Sequence, residues 1–291
     1  MRYIFLIGSL LAIVVPSLAS AHSLPAARTG GAIQATPSTS TFVEETAHIK
    51  PSDSPFTFVP LSDFKNFGVS TSYRVEGVFP SDSVMYQLKY CESRIYDAYR
   101  VFPAAHRSEL KRLMFLWTAN TQRGLGGDGA IHLKCNDISD EELTSVFVHE
   151  MGHIVDTGVL GGHSAAGMSA YVDPRSSVFK DDPSIDFYSV SWRSAKAVHK
   201  GSTANDFVTI YGMSNPFEDF AETYNFYLLH GSQFKFMASS NKRLGAKYDY
   251  MKRRIFDGKE FANNDFKLNS KRRNYDSTLL PFSLANFVKS V

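Results

Sequence analysis

Residues 139–156 read Ser139-Asp140-Glu141-Glu142-Leu143-Thr144-Ser145-Val146-Phe147-Val148-His149-Glu150-Met151-Gly152-His153-Ile154-Val155-Asp156. Ser139 with Glu142 three positions on is a capping box, so a helix begins here. Leu143, Val146, Phe147, Ile154 and Val155 recur at helical spacing and carry the helix to about Gly158. Within it, His149 and His153 stand one above the other on one face, the separation a tetrahedral zinc site needs from two neighbouring ligands. Glu150, adjacent in sequence, is rotated off that face. A chance H-E-x-x-H turns up on the order of once in a hundred chains of this size, so the pentad alone does not identify a metal site.

The third ligand separates the classes of such sites. A histidine ten positions after the first would mark a metzincin, but that position is Val159 and the turn glycine is replaced by Asp156. His163 lies among Gly and Ser and reads as a loop histidine. A stronger candidate is Asn215-Pro216-Phe217-Glu218-Asp219-Phe220-Ala221-Glu222. Asn215 caps a helix and Pro216 opens it, which puts Glu218 in the first turn and Glu222 one turn later on the same face. Glu218 is then the candidate ligand, with helix capping as its alternative role. Glu222 is placed to accept a bond from a ligand imidazole. Asp219 points about 100 degrees away. Asp156 is either a carboxylate supporting a ligand or part of the helix exit.

Taken together, H-E-x-G-H-x-x-D from His149 to Asp156, then Tyr211-Gly212, then N-P-x-E-D-F-A-E resemble the catalytic domain of anthrax lethal factor and the related secreted Pro-Pro endopeptidases. The likeness covers roughly residues 130–230. It implies a zinc metallopeptidase with one zinc per chain on His149, His153 and Glu218, and with Glu150 as the base. In that family a tyrosine seven positions before the glutamate ligand stabilises the transition state, and Tyr211 stands there. The implied substrate is a peptide or protein. The implied fold is α+β and zincin-like: a twisted mixed sheet over an active-site helix, with a mainly helical lower lobe that includes a helix over Lys242 to Phe256. Ala130 to Lys134 is the expected edge strand lining the cleft. An alternative is a non-catalytic secreted binding or effector protein that keeps zinc for stability; an intact Glu150 and an open metal position speak against it. Hydrolysis of a non-peptide carbonyl stays open.

Outward from this region, residues 1–21 read as a secretory signal: Arg2, an apolar run from Tyr3 to Val15, and a small-residue exit Ala19-Ser20-Ala21. Residues 22–55 are rich in Ser, Thr, Ala, Pro and Gly and read as a flexible linker or propeptide. Residues 56–291 form the expected catalytic domain. No later run approaches the length of a membrane span, so the predicted product is secreted and extracellular with no membrane anchor. The only two cysteines, Cys91 and Cys135, are expected to pair in an exported protein. Formal net charge is +2, but from Asn241 onward there are twelve Lys and Arg against five Asp and Glu. Runs such as Lys252-Arg253-Arg254 and Lys271-Arg272-Arg273 read as solvated faces, and no motif points to nucleic acid. A core helix is predicted from Ser81 to Arg100 and strands over Leu113 to Thr118 and Ala130 to Lys134. Gly124 to Gly129 reads as a hairpin turn.

Overall fold

The computed structural model describes residues 42–43, 64–77, 79–172, 177–262 and 273–289, all within one compact unit, Thr39–Val291. The predicted signal segment, most of the linker, and Lys271 and Arg272 lie outside the described residues. Two residues of the expected linker are described: they form β1 (Phe42–Val43), antiparallel to β2 (Ser70–Val75). Then follow α1 (Asp82–Tyr99), α2 (Ala104–Arg107), β3 (Arg112–Trp117), β4 (Gly124–Gly127), β5 (Ala130–Lys134) and α3 (Asp140–Ile154). The remainder is mainly helical: α4 (Ser184–Ser191), a hairpin of β6 (Trp192–Ser194) and β7 (Ala197–Val198), α5 (Pro216–Leu229), α6 (Gly231–Ser240), α7 (Lys242–Tyr250) and α8 (Leu284–Lys289). The architecture is mixed α+β.

The main sheet runs in the order β1-β2-β3-β5-β4, with β2, β3 and β5 parallel and both outer strands antiparallel. Alternation decides which face is covered: Leu113 and Phe115 of β3 and Ile131 and Leu133 of β5 are buried, and α1 and α3 pack there. Ser81 caps α1, its hydroxyl accepting from Val84 N, and Ser139 caps α3 by accepting from Glu142 N at 3.1 Å. A disulfide joins Cys91 of α1 to Cys135 just after β5, with Cα atoms 5.9 Å apart. Among the described residues no helix is long and apolar enough to cross a membrane.

The expected edge strand needs correction. β5 lies inside the sheet, between β3 and β4, and the edge is β4, the glycine stretch read above as a turn. The turn itself is Asp128-Gly129, where both residues have positive φ. Four residues of which three are glycine carry no alternation of side chains, so nothing local marks them as a strand. The helix expected over Lys242 to Phe256 forms as α7, continued by a π-helical turn over Met251–Ile255.

Away from the sheet, His106 of α2 joins two parts of the helical region. Its Nδ1 is 2.9 Å from the Tyr224 hydroxyl and its Nε2 is 3.0 Å from the Ile255 carbonyl, so the neutral ring satisfies both. Burial pulls its pKa down from 6.5 to about 4. The unfolded chain therefore binds a proton that the folded chain refuses between those values. Stability contributed by this group is complete above the unfolded pKa and is lost as pH falls towards 4, by about 3 kcal/mol in all. His106→Gln is expected to flatten this dependence in urea unfolding between pH 7 and 5. A variant losing as much stability over that range as the unmutated chain would clear His106 of the effect.

Candidate metal centre

The centre is built where α3 crosses α5. Gly152 makes the crossing close: a β-carbon there would stand 2.8 Å from Ala221 Cα. Asn225 of α5 adds a tie, its side-chain amide donating to the Ser145 carbonyl at 2.7 Å. At the start of α5, Asn215 Oδ1 accepts from Phe217 N and Glu218 N at 3.0 and 2.9 Å, with Pro216 in the first turn. Capping is thus supplied by Asn215, which leaves the Glu218 side chain for another role.

Glu218 Oε2 lies 3.2 Å from His149 Nε2 and 3.5 Å from His153 Nε2. Ligands at about 2.0–2.1 Å on two corners of a tetrahedron stand about 3.3–3.4 Å apart, so these separations fit one zinc-sized ion. The oxygen is buried and neither contact is aligned as a hydrogen bond, which leaves it without a donor among the described residues. Such a buried acceptor is costly unless a cation fills the gap. His149, His153 and Glu218 can therefore hold a metal ion. The surroundings favour positive charge: burial disfavours a charged His149, but Glu218, Glu222 and Glu150 outweigh it and raise its pKa well above the ordinary value. Burial would likewise raise Glu218, yet the two imidazoles hold it well below the usual carboxylate range, in the form a ligand needs.

Glu150 is also buried, beneath the edge strand. β-Carbons on Gly124 and Gly126 would meet its carboxylate oxygens at 2.4 and 2.9 Å, so only glycines let β4 lie this close. Burial raises the pKa of Glu150 against the pull of His149 and His153. Tyr211 opens a tight turn over Tyr211–Met213, its ring 6.1 Å from that of His149. Burial and the nearby Glu218 and Glu150 raise its pKa, so the phenol keeps its proton. Glu222 is fully buried and its Oε1 is 2.9 Å from His149 Nδ1, in a short but bent contact. Asp156 sits in the π-helical exit of α3 and accepts from the Tyr188 hydroxyl at 2.5 Å. Burial raises it to about 7. The nearby His153 pulls in the opposite direction, and both residues line the same cavity. His163 is exposed and paired with Asp181.

Comparison with protein-family models, with curated proteins and with solved structures found no match to this chain.

Several supporting residues carry no local signal. Thr209, Ser277 and the Arg123–Asp276 pair come to the centre only through long-range folding. Lys247 did leave a trace: with Leu244 and Tyr248 it occupies the inward stripe of α7, where a lysine is out of place. Fully buried, its Nζ reaches both oxygens of Asp219, at 2.8 and 2.6 Å, and lies 4.1 Å from the Phe207 ring centre. Asp219 also accepts from Trp192 Nε1 at 2.9 Å. This pairing pins the first turn of α5 next to Glu218. Lys247→Met is expected to cost about 3–5 kcal/mol in denaturant unfolding by stranding the Asp219 charge, with partial recovery on adding Asp219→Asn. A loss below about 1 kcal/mol would contradict this.

Proposed function

We propose that this chain is a secreted zinc-dependent endopeptidase of the lethal factor and Pro-Pro endopeptidase type, acting on a peptide or protein substrate. The observation that carries the reading is the convergence of His149, His153 and Glu218, with the buried Glu150 carboxylate on the same helix as the two histidines, beneath the edge strand. His149, His153 and Glu218 would hold the zinc, which would supply Lewis acidity to activate water near neutral pH. Glu150 takes the proton of the attacking water and passes it to the leaving amine nitrogen. Its burial suits this work, since a raised pKa brings base strength closer to the operating pH. The Tyr211 hydroxyl, kept protonated, donates to the oxyanion.

Substrate binding follows from the edge strand. β4 ends the sheet, and its far edge has no partner strand among the described residues, so an extended peptide can add to it. Beside His153 and Glu218 opens a cavity of about 410 Å³ that also touches Phe217, Val172 and Lys196, large enough for a substrate side chain. The disulfide supports action outside the cytosol. The test is to incubate the zinc-loaded chain with a diverse peptide library and read cleavage by mass spectrometry. Zinc-dependent cleavage is expected. None across the library would favour a zinc-stabilised binding protein instead.

A further inference from the structure

Two segments outside both ligand-bearing helices converge on Glu222. Thr209 Oγ1 donates to its Oε2 at 2.6 Å, Ser277 N donates to the same oxygen at 2.8 Å, and Ser277 Oγ donates to Oε1 at 2.9 Å. That Oε1 is the atom facing His149 Nδ1. Thr209, Glu222 and Ser277 are all completely buried, so water cannot take the place of a lost donor.

The segment bearing Ser277 is itself fastened on two sides. Ile210 N and Tyr211 N donate to the Asn274 and Tyr275 carbonyls at 2.9 and 2.7 Å. Arg123 donates to Glu142 at 2.8 Å and, on its other arm, to Asp276. Asp276 in turn accepts from the amide and hydroxyl of Thr278 at 2.7 and 2.6 Å. One strip of chain, residues 273–280, therefore touches the turn of Tyr211, the start of α3 and the carboxylate behind His149.

We propose that Thr209 and Ser277 are positioning residues for the metal: by fixing Glu222 they fix the ring orientation of His149, so that tight metal binding requires residues 273–280 to be seated. A carboxylate behind a ligand imidazole sets which nitrogen carries the proton and where the other points. Here the carboxylate is located by donors from outside the ligand helices. The coupling is reciprocal, so metal binding also holds the segment in place. This inference rests on the metal-binding part of the proposed function and is independent of peptide hydrolysis.

The test measures zinc affinity by competition with a chromophoric chelator for Ser277→Ala, Thr209→Val and Thr209→Ser, with circular dichroism checking the fold. The first two are expected to bind zinc about 10- to 100-fold more weakly, and Thr209→Ser, which keeps the hydroxyl, to stay close to the unmutated chain. A purely structural role would lower stability and leave zinc affinity alone. Folded Ser277→Ala and Thr209→Val within about twofold of the unmutated affinity would overturn the inference. Should neither variant fold, hydrogen exchange in the unmutated chain decides: zinc is expected to raise protection of the Ser277 and Tyr211 amides, and no change there overturns it. If the unmutated chain binds no zinc, the metal reading and this inference both fall. If it and both variants bind equally tightly, only this inference falls.

Discussion

Glu150→Gln is expected to leave the fold and zinc content intact and to lower peptide turnover by about 10²- to 10⁴-fold, the range that a positioned proton acceptor supplies. The substitution is near-isosteric, which matters because Gly124 and Gly126 leave no room above the carboxylate for a larger group. An amide cannot take the proton of water, yet it preserves the packing of α3 against β4. Loss should fall on kcat with KM little changed, as expected of a group whose interaction matters in the transition state. Zinc content measured on the same sample separates loss of the base from loss of the metal. Undiminished kcat at full zinc occupancy would remove Glu150 from the proton-transfer role.

The second large effect concerns the ligands. His149→Ala, His153→Ala and Glu218→Ala are each expected to abolish stoichiometric zinc retention after dialysis, read by elemental analysis against one zinc per chain in the unmutated protein. Three protein ligands with one open position make up a catalytic site, so removing one leaves a pair with no spare to recruit. The neighbouring carboxylates are already committed. Asp219 is tied to Lys247 and Trp192, and Glu222 to Thr209 and Ser277. Full zinc retention by Glu218→Ala would mean that one of them can leave its partners and take the third position.

What could be read in the sequence was local. The caps Ser139 and Asn215, the four-residue spacing of the histidines, and the one-turn spacing of Glu218 and Glu222 are each contained in a few consecutive residues, and helical geometry converts them into faces. The pairing of Cys91 with Cys135 followed from number and context. β4 was missed because strands are recognised by alternating side chains and glycine has none; its role is to let backbone approach Glu150, and only the fold shows that approach. Ser277 was missed for a different reason: its bond to Glu222 spans 55 positions, and a buried serine has the same signature in sequence as an exposed one. Lys247 shows the intermediate case, a charge in an apolar stripe that signals burial but not its partner.

Arg123 and Asp276, whose ion pair fastens residues 273–280 over the centre, are 153 positions apart in the chain. Contacts of such range form late, because a long loop must close before they return any free energy. At about 5–20 residues per second, synthesis of the intervening chain alone takes on the order of 10–30 s, during which the helix bearing His149 and His153 is already made. A ribosome-bound chain has two histidines on a helix from residue 154 on, gains Glu218 well after that, and gains the strip behind His149 last. If tight metal binding requires residues 273–280 to be seated, as proposed above, capture of the ion waits until that strip has been made and has closed over Glu222.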